Sequence, residues 1–77
     1  MNYIGHKPKK QFCAVIHSLL MDYENGRLKA RSINRANRII EQYSTLDADF
    51  VQRTIKTYEG KFGLCVKEVL SGRRENN

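Results

Sequence analysis

The strongest constraint on this chain lies between Arg27 and Tyr43, where basic and apolar residues separate with a helical period. Wound at roughly 100° per residue, Leu28, Ile33, Ala36, Ile39, Ile40 and Tyr43 fall within one arc of roughly 140°. Arg27, Arg31, Arg35 and Arg38 fall on the other side, with Asn34 at their margin and Gln42 among them. One face can bury in a core while the other presents a row of guanidinium groups, whose planar donor forks suit phosphate and carboxylate. From Arg27 to Arg38 the sequence places Arg27, Lys29, Arg31, Arg35 and Arg38, five of its fourteen cations, and not one acid.

The segments on either side repeat the helical pattern. Pro8 suits a first helical turn, where its missing N–H costs no hydrogen bond. Phe12, Ile16, Leu19, Leu20 and Tyr23 then recur at helical spacing, with Cys13 and Val15 widening the stripe. Asn25-Gly26 ends this first helix, since glycine readily takes the left-handed conformation just past a helix. The same pair could head a β-hairpin, but the flanking segments do not alternate with period two. The second helix begins between Leu28 and Ser32 and runs out at Tyr43. A start capped by Ser32 would leave Arg27 and Arg31 outside the row.

Ser44-Thr45-Leu46-Asp47 reads as the start of a third helix, with Ser44 as cap, Asp47 as the capping-box acid and Asp49 complementing the dipole. Leu46, Phe50, Val51, Ile55 and Tyr58 form its apolar stripe. With a hinge of two or three residues, helices two and three must meet at a sharp angle or pack antiparallel. Gly60 and Gly63 interrupt the pattern, and Phe62, Val66, Val69 and Leu70 resume it. A short fourth helix is therefore predicted from about Gly63 to Leu70, closed by Gly72. The alternative is a third helix that continues through both glycines, at about 1 kcal/mol each relative to alanine. The predicted fold is all-α: one domain over residues 1–77, a compact bundle of three helices plus a short C-terminal fourth. Residues 1–7 form an arm, from which Tyr3 and Ile4 could reach the core, and residues 73–77 form a frayed tail.

With 77 residues, such a chain buries only about 60–65% of the surface its unfolded form exposes. Stability has to come from tight helix packing or from self-association, so a homodimer is one expected route. Two cysteines make at most one disulfide. In a reducing compartment Cys13 and Cys65 are both expected as small buried apolar residues. Lys7, Lys9 and Lys10 ahead of the run from Phe12 to Met21 imitate a secretion signal. His17 and Ser18 interrupt that run, however, and Asp22, Tyr23 and Glu24 stand where small residues should come next. No stretch approaches a membrane span, and the expected setting is the cytoplasm.

Other chemistries find little footing. Cys13 and His17 stand one turn apart, and zinc would need Cys65 and His6 as well; nothing in the sequence brings these four together, so no metal is expected. The segment around Gly60 fits a helix-turn-helix poorly, because Lys56 stands where a small residue is needed and Lys61 where an apolar one is expected. There is no glycine-rich phosphate loop or nucleophile elbow, and a chain this short has little room for a water-excluding pocket. Enzyme activity and cofactors are not expected. Phe12, Tyr23, Tyr43, Phe50, Tyr58 and Phe62 fall on apolar stripes and read as core rather than as base-stacking platforms.

Net charge is +6 and the pI is about 9.6, which favours a polyanionic partner. The expected function is that of a small non-enzymatic regulator that binds DNA or RNA. Its contacts would be Arg27, Arg31, Asn34, Arg35 and Arg38, where arginine suits phosphates and guanine edges and asparagine suits adenine. Lys7, Lys9 and Lys10 would add phosphate contacts. The alternative is an interaction module that grips an acidic surface on a larger protein and modulates it.

Overall fold

The computed structural model describes residues 5–71, with the side chain of His6 excepted. In order these residues form α1 (His6–Glu24), α2 (Ala30–Phe62) and α3 (Val66–Ser71), and no strand occurs among them. Residues 1–4 and 72–77 lie outside this description, and with them most of the expected arm, the tail and Gly72.

Helix α1 starts earlier than the sequence suggested. Gly5 is its N-cap, and the Gly5 carbonyl accepts the Lys9 N–H at 3.1 Å. His6 and Lys7 therefore belong to the first turn, together with Pro8. Phe12, Ile16, Leu19 and Leu20 are buried and Tyr23 is half-buried, as the stripe requires. The helix closes on Asn25 and Gly26, the latter with φ of 71°. The Gly26 N–H donates to the Tyr23 carbonyl at 3.2 Å and the Arg27 N–H to the Asp22 carbonyl at 2.8 Å. This pair of bonds is the Schellman closure, which satisfies carbonyls that a helix end would otherwise leave open.

The start of α2 at Ala30 falls within the window predicted from Leu28 to Ser32, and Lys29 is the N-cap. The Ile33 N–H donates to the Lys29 carbonyl at 3.1 Å, and Ser32 is a half-buried residue inside the helix rather than its cap.

The described residues form three helices where four were expected, because the predicted second and third are one element. Residues 30–62 are helical on both sides of a single departure, Asp47, whose backbone is extended (φ −158°, ψ 83°). The Asp47 carboxylate accepts the Phe50 N–H at 3.1 Å. Asp47 is thus itself the N-cap of the helical segment downstream of it, not the capping-box acid of a cap at Ser44. Just upstream, the Thr45 hydroxyl donates to the Gln42 carbonyl at 2.7 Å, a local bond of the kind that bends helices. Residues 30–46 make up the first arm of α2 and residues 48–62 its second arm.

Contacts with α1 give the path of the two arms. Toward its C-terminal end α1 shares a groove with the beginning of the first arm, where Leu19 and Asp22 meet Ser32 and Arg35. Further back, Phe12 stacks on Tyr43, with ring centroids 5.4 Å apart. The first arm therefore runs antiparallel to α1. Against the second arm the order reverses, because Phe12 meets Phe50 at 5.5 Å while His17 meets Tyr58 at 6.0 Å and Phe62 at 5.6 Å. The second arm runs parallel to α1, so α2 folds back on itself at Asp47, and Ile40 and Ile55 line one groove across the two arms. Phe12, fully buried between both arms, is the keystone of this arrangement.

The helix passes through Gly60 and stops at Gly63, where φ is 67° and the N–H donates to the Glu59 carbonyl at 2.8 Å. Glu59 acts twice, since its carboxylate also accepts the Val66 N–H at 2.9 Å and so caps α3. Val66 and Val69 anchor α3 in the core. Three apolar expectations are not met in full, and the mildest is Cys13, which is half-buried. Leu46 is 46% exposed, because it precedes Asp47 and so ends the first arm rather than opening the stripe of the second. Cys65 is exposed and free; its role at the start of α3 belongs to its backbone, whose carbonyl accepts the Val69 N–H at 3.0 Å. Among the described residues no polar side chain is buried, and no helix is long and apolar enough to cross a membrane.

Candidate polyanion-binding surface

The first arm turns two unlike faces outward and inward. Ala36 and Tyr43 are buried and Ile33, Ile39 and Ile40 half-buried, while Arg31, Asn34, Arg35, Asn37 and Arg38 are exposed. Arg31, Asn34, Arg35 and Arg38 keep the spacing i, i+3, i+4, i+7, which puts them on one helix face. They line one shallow concavity together.

Among the described residues, Arg31, Arg35 and Arg38 form no ion pair with a carboxylate. Among the described residues the ion pair is Arg53 with Asp49, 3.2 Å apart on the second arm. Asp47 is engaged as a helix cap. Arg35 also borders the groove between α1 and the first arm, where Asp22 is a neighbouring acid. Arg31 and Arg38 do not line that groove.

The remaining candidates do not join this face. Arg27 is exposed in the loop before α2, off the helical row, because its backbone belongs to the closure of α1. Lys7 is exposed on the first turn of α1. Lys9 and Lys10 line a separate cleft with Cys13, His17, Ser18 and Tyr58, between α1 and the second arm. The Lys9 ammonium stands 5.2 Å from the centre of the Phe50 ring, and Lys61 stands 5.8 Å from that of Tyr58, both within cation–π range. The Tyr58 phenol has a raised pKa, first through burial and then through the neighbouring Cys13 sulfur. It therefore stays neutral and brings no negative charge to the cleft.

The sequence reading named Lys9 and Lys10 as phosphate contacts but did not group them with His17 and Lys61. Lys9, Lys10 and His17 share a helix flank, a signal open to inspection, but Lys61 joins them from another element and only the fold brings it there. Of the four residues a zinc site would need, the side chain of His6 lies outside the described residues. Cys13 and His17 line one cleft, Cys65 is not among its lining residues, and no group of three potential ligands occurs among the described residues. The helix-turn-helix reading gains nothing either: α3 has six residues, and its exposed positions carry Lys67 and Glu68, one of each sign. No protein-family description, curated protein or solved structure matches this chain.

Proposed function

We infer that the chain is a small non-enzymatic regulatory protein of the cytoplasm that binds nucleic acid, DNA or RNA, through Arg31, Asn34, Arg35 and Arg38. The observation that carries the reading is that these four side chains share one exposed surface while the acids at the bend in α2 are occupied elsewhere. Arginine forks on such a face fit phosphate oxygens, and Asn34 among them has the donor and acceptor pair that reads an adenine edge.

Fluorescence anisotropy with labelled duplex DNA and duplex RNA tests it. Affinity should fall linearly on a log–log plot as salt rises from about 50 to about 200 mM, and each arginine-to-alanine change should reduce the slope by about one. A binding constant indifferent to salt, or a slope unmoved by those changes, would overturn the reading.

A second reading, an interaction module for a larger protein, is favoured by the groove between the arms and α3. Ile40, Ile55, Val66 and Leu70 give that groove an apolar floor, bordered by Lys56 and Lys67. A protein partner that survives nuclease treatment, and is lost on Ile55→Asp but kept on Arg35→Ala, would favour this second reading over the first.

A further inference from the structure

The cleft of Lys9, Lys10, His17 and Tyr58 lies on a different side of the bundle from the arginine face. On α1, the flank of Gln11, Val15 and Asp22 meets the first arm at Ser32 and Arg35. The flank of Lys9, Lys10, Cys13 and His17 meets the second arm at Tyr58. Three helical segments packed around Phe12 form a triangle in section, with α1 and the two arms at its corners. The outer face of one corner then lies opposite the groove between the other two. The arginines lie on the exposed face of the first arm, with Arg35 also bordering its groove with α1; the lysines lie along the groove between α1 and the second arm.

We propose that the cleft of Lys9, Lys10 and Lys61 is a second phosphate-binding surface, and that the protein uses both surfaces to bridge two nucleic-acid duplexes. This rests on the proposed role of the arginine face in binding nucleic acid. The cleft is lined by Lys9, Lys10 and His17 with no carboxylate among its lining residues, and Lys61 borders it over the Tyr58 ring. Lysine acts on a phosphate backbone as a point charge, so the contact asks for no base sequence. The body measures 23 by 17 Å across its shorter axes, and duplex DNA is stiff over about 150 base pairs. A single duplex cannot wrap both sides of so narrow a body without a sharp bend, whereas two duplexes can each lie against one side.

A bead assay tests this with duplex DNA as the probe. One duplex is fixed to beads, the full chain is loaded, and capture of a second, fluorescent duplex is read. The expected result is capture by the unaltered chain. Lys10→Glu with Lys61→Glu should leave loading on the beads intact and lower capture by roughly tenfold. Both lysines are exposed, and circular dichroism checks that the helices persist; Lys10→Ala with Lys61→Ala is the milder pair should charge reversal unfold the chain. Loading without capture overturns bridging and leaves the arginine reading in place. So does capture that survives the lysine changes while sedimentation shows a dimer, because bridging then comes from self-association. A lysine variant that no longer loads merges the cleft with the first surface and overturns a separate site. No loading of the unaltered chain overturns both readings together.

Discussion

The two arms of α2 are helical segments joined at the extended residue Asp47, yet they use their outer faces in different ways. The second arm engages part of its charge within the fold and leaves Lys56 and Lys61 exposed. Arg53 pairs with Asp49, Glu59 caps α3, and Lys61 lies over the Tyr58 ring. The first arm leaves Arg31, Arg35 and Arg38 facing outward together, and the loop before it adds Arg27 and Lys29 without an acid. Both arms place apolar residues in the core, Ala36 and Tyr43 on the first and Val51 on the second, and the exposed arginines lie outside it. Like charges held close on one helix face weaken it slightly. A face that works mildly against stability is better explained by a partner than by folding.

This contrast can be broken or sharpened by substitution. The largest effect belongs to the residue both arms share. Phe12→Ala should lower unfolding free energy by about 3–5 kcal/mol, because a fully buried aromatic leaves a cavity between Tyr43 and Phe50. Urea unfolding monitored by circular dichroism reads this. Next, changing Arg31, Arg35 and Arg38 together to alanine should leave that unfolding curve unchanged or slightly stabilised. The same triple change should reduce the salt slope of DNA binding by about three. Destabilisation by the triple change would mean that the arginines belong to the fold after all.

Asp47→Ala should cost about 1 kcal/mol, the usual value of an N-cap, by removing the acceptor of the Phe50 N–H. Thermal unfolding measures it, and an unchanged midpoint would show that the bend holds without the carboxylate. The smallest effect is expected on the second arm. Arg53→Ala breaks an ion pair whose side chains are 71% and 82% exposed, so the change should stay within about 0.5 kcal/mol. It should also leave the salt slope as it was. A slope change as large as that of Arg35→Ala would erase the distinction between the arms.

Much of this was legible in the sequence, and the misses share a cause. The stripes of α1 and of both arms, the closure at Asn25-Gly26 and the fold-back between the arms come from local periodicity and turn chemistry. What local pattern could not supply was which of several qualified groups takes each role. Ser44 and Asp47 can both cap a helix; the extended backbone fell at Asp47, which moved Leu46 out of the core. Ser32 was a good cap in isolation, but the closure of α1 reaches as far as Arg27 and the helix starts at Ala30. Glu59 carries no sign in the sequence that it will cap a helix seven residues further on. The exposed arginine face needed only the period of one helix. The lysine cleft needed two elements brought side by side.

The single extended residue at Asp47 has a consequence for how this chain can vary. A loop of several residues absorbs insertions, but this joint has no slack. One added residue would rotate the second arm by about 100° relative to the first. The ring of Phe50 would swing away from Phe12, and the groove shared by Ile40 and Ile55 would lose one wall. Length at this point is therefore as tightly constrained as chemistry is in the core. Sequences that share this architecture should tolerate many residues at position 46 and hardly any change in spacing around position 47.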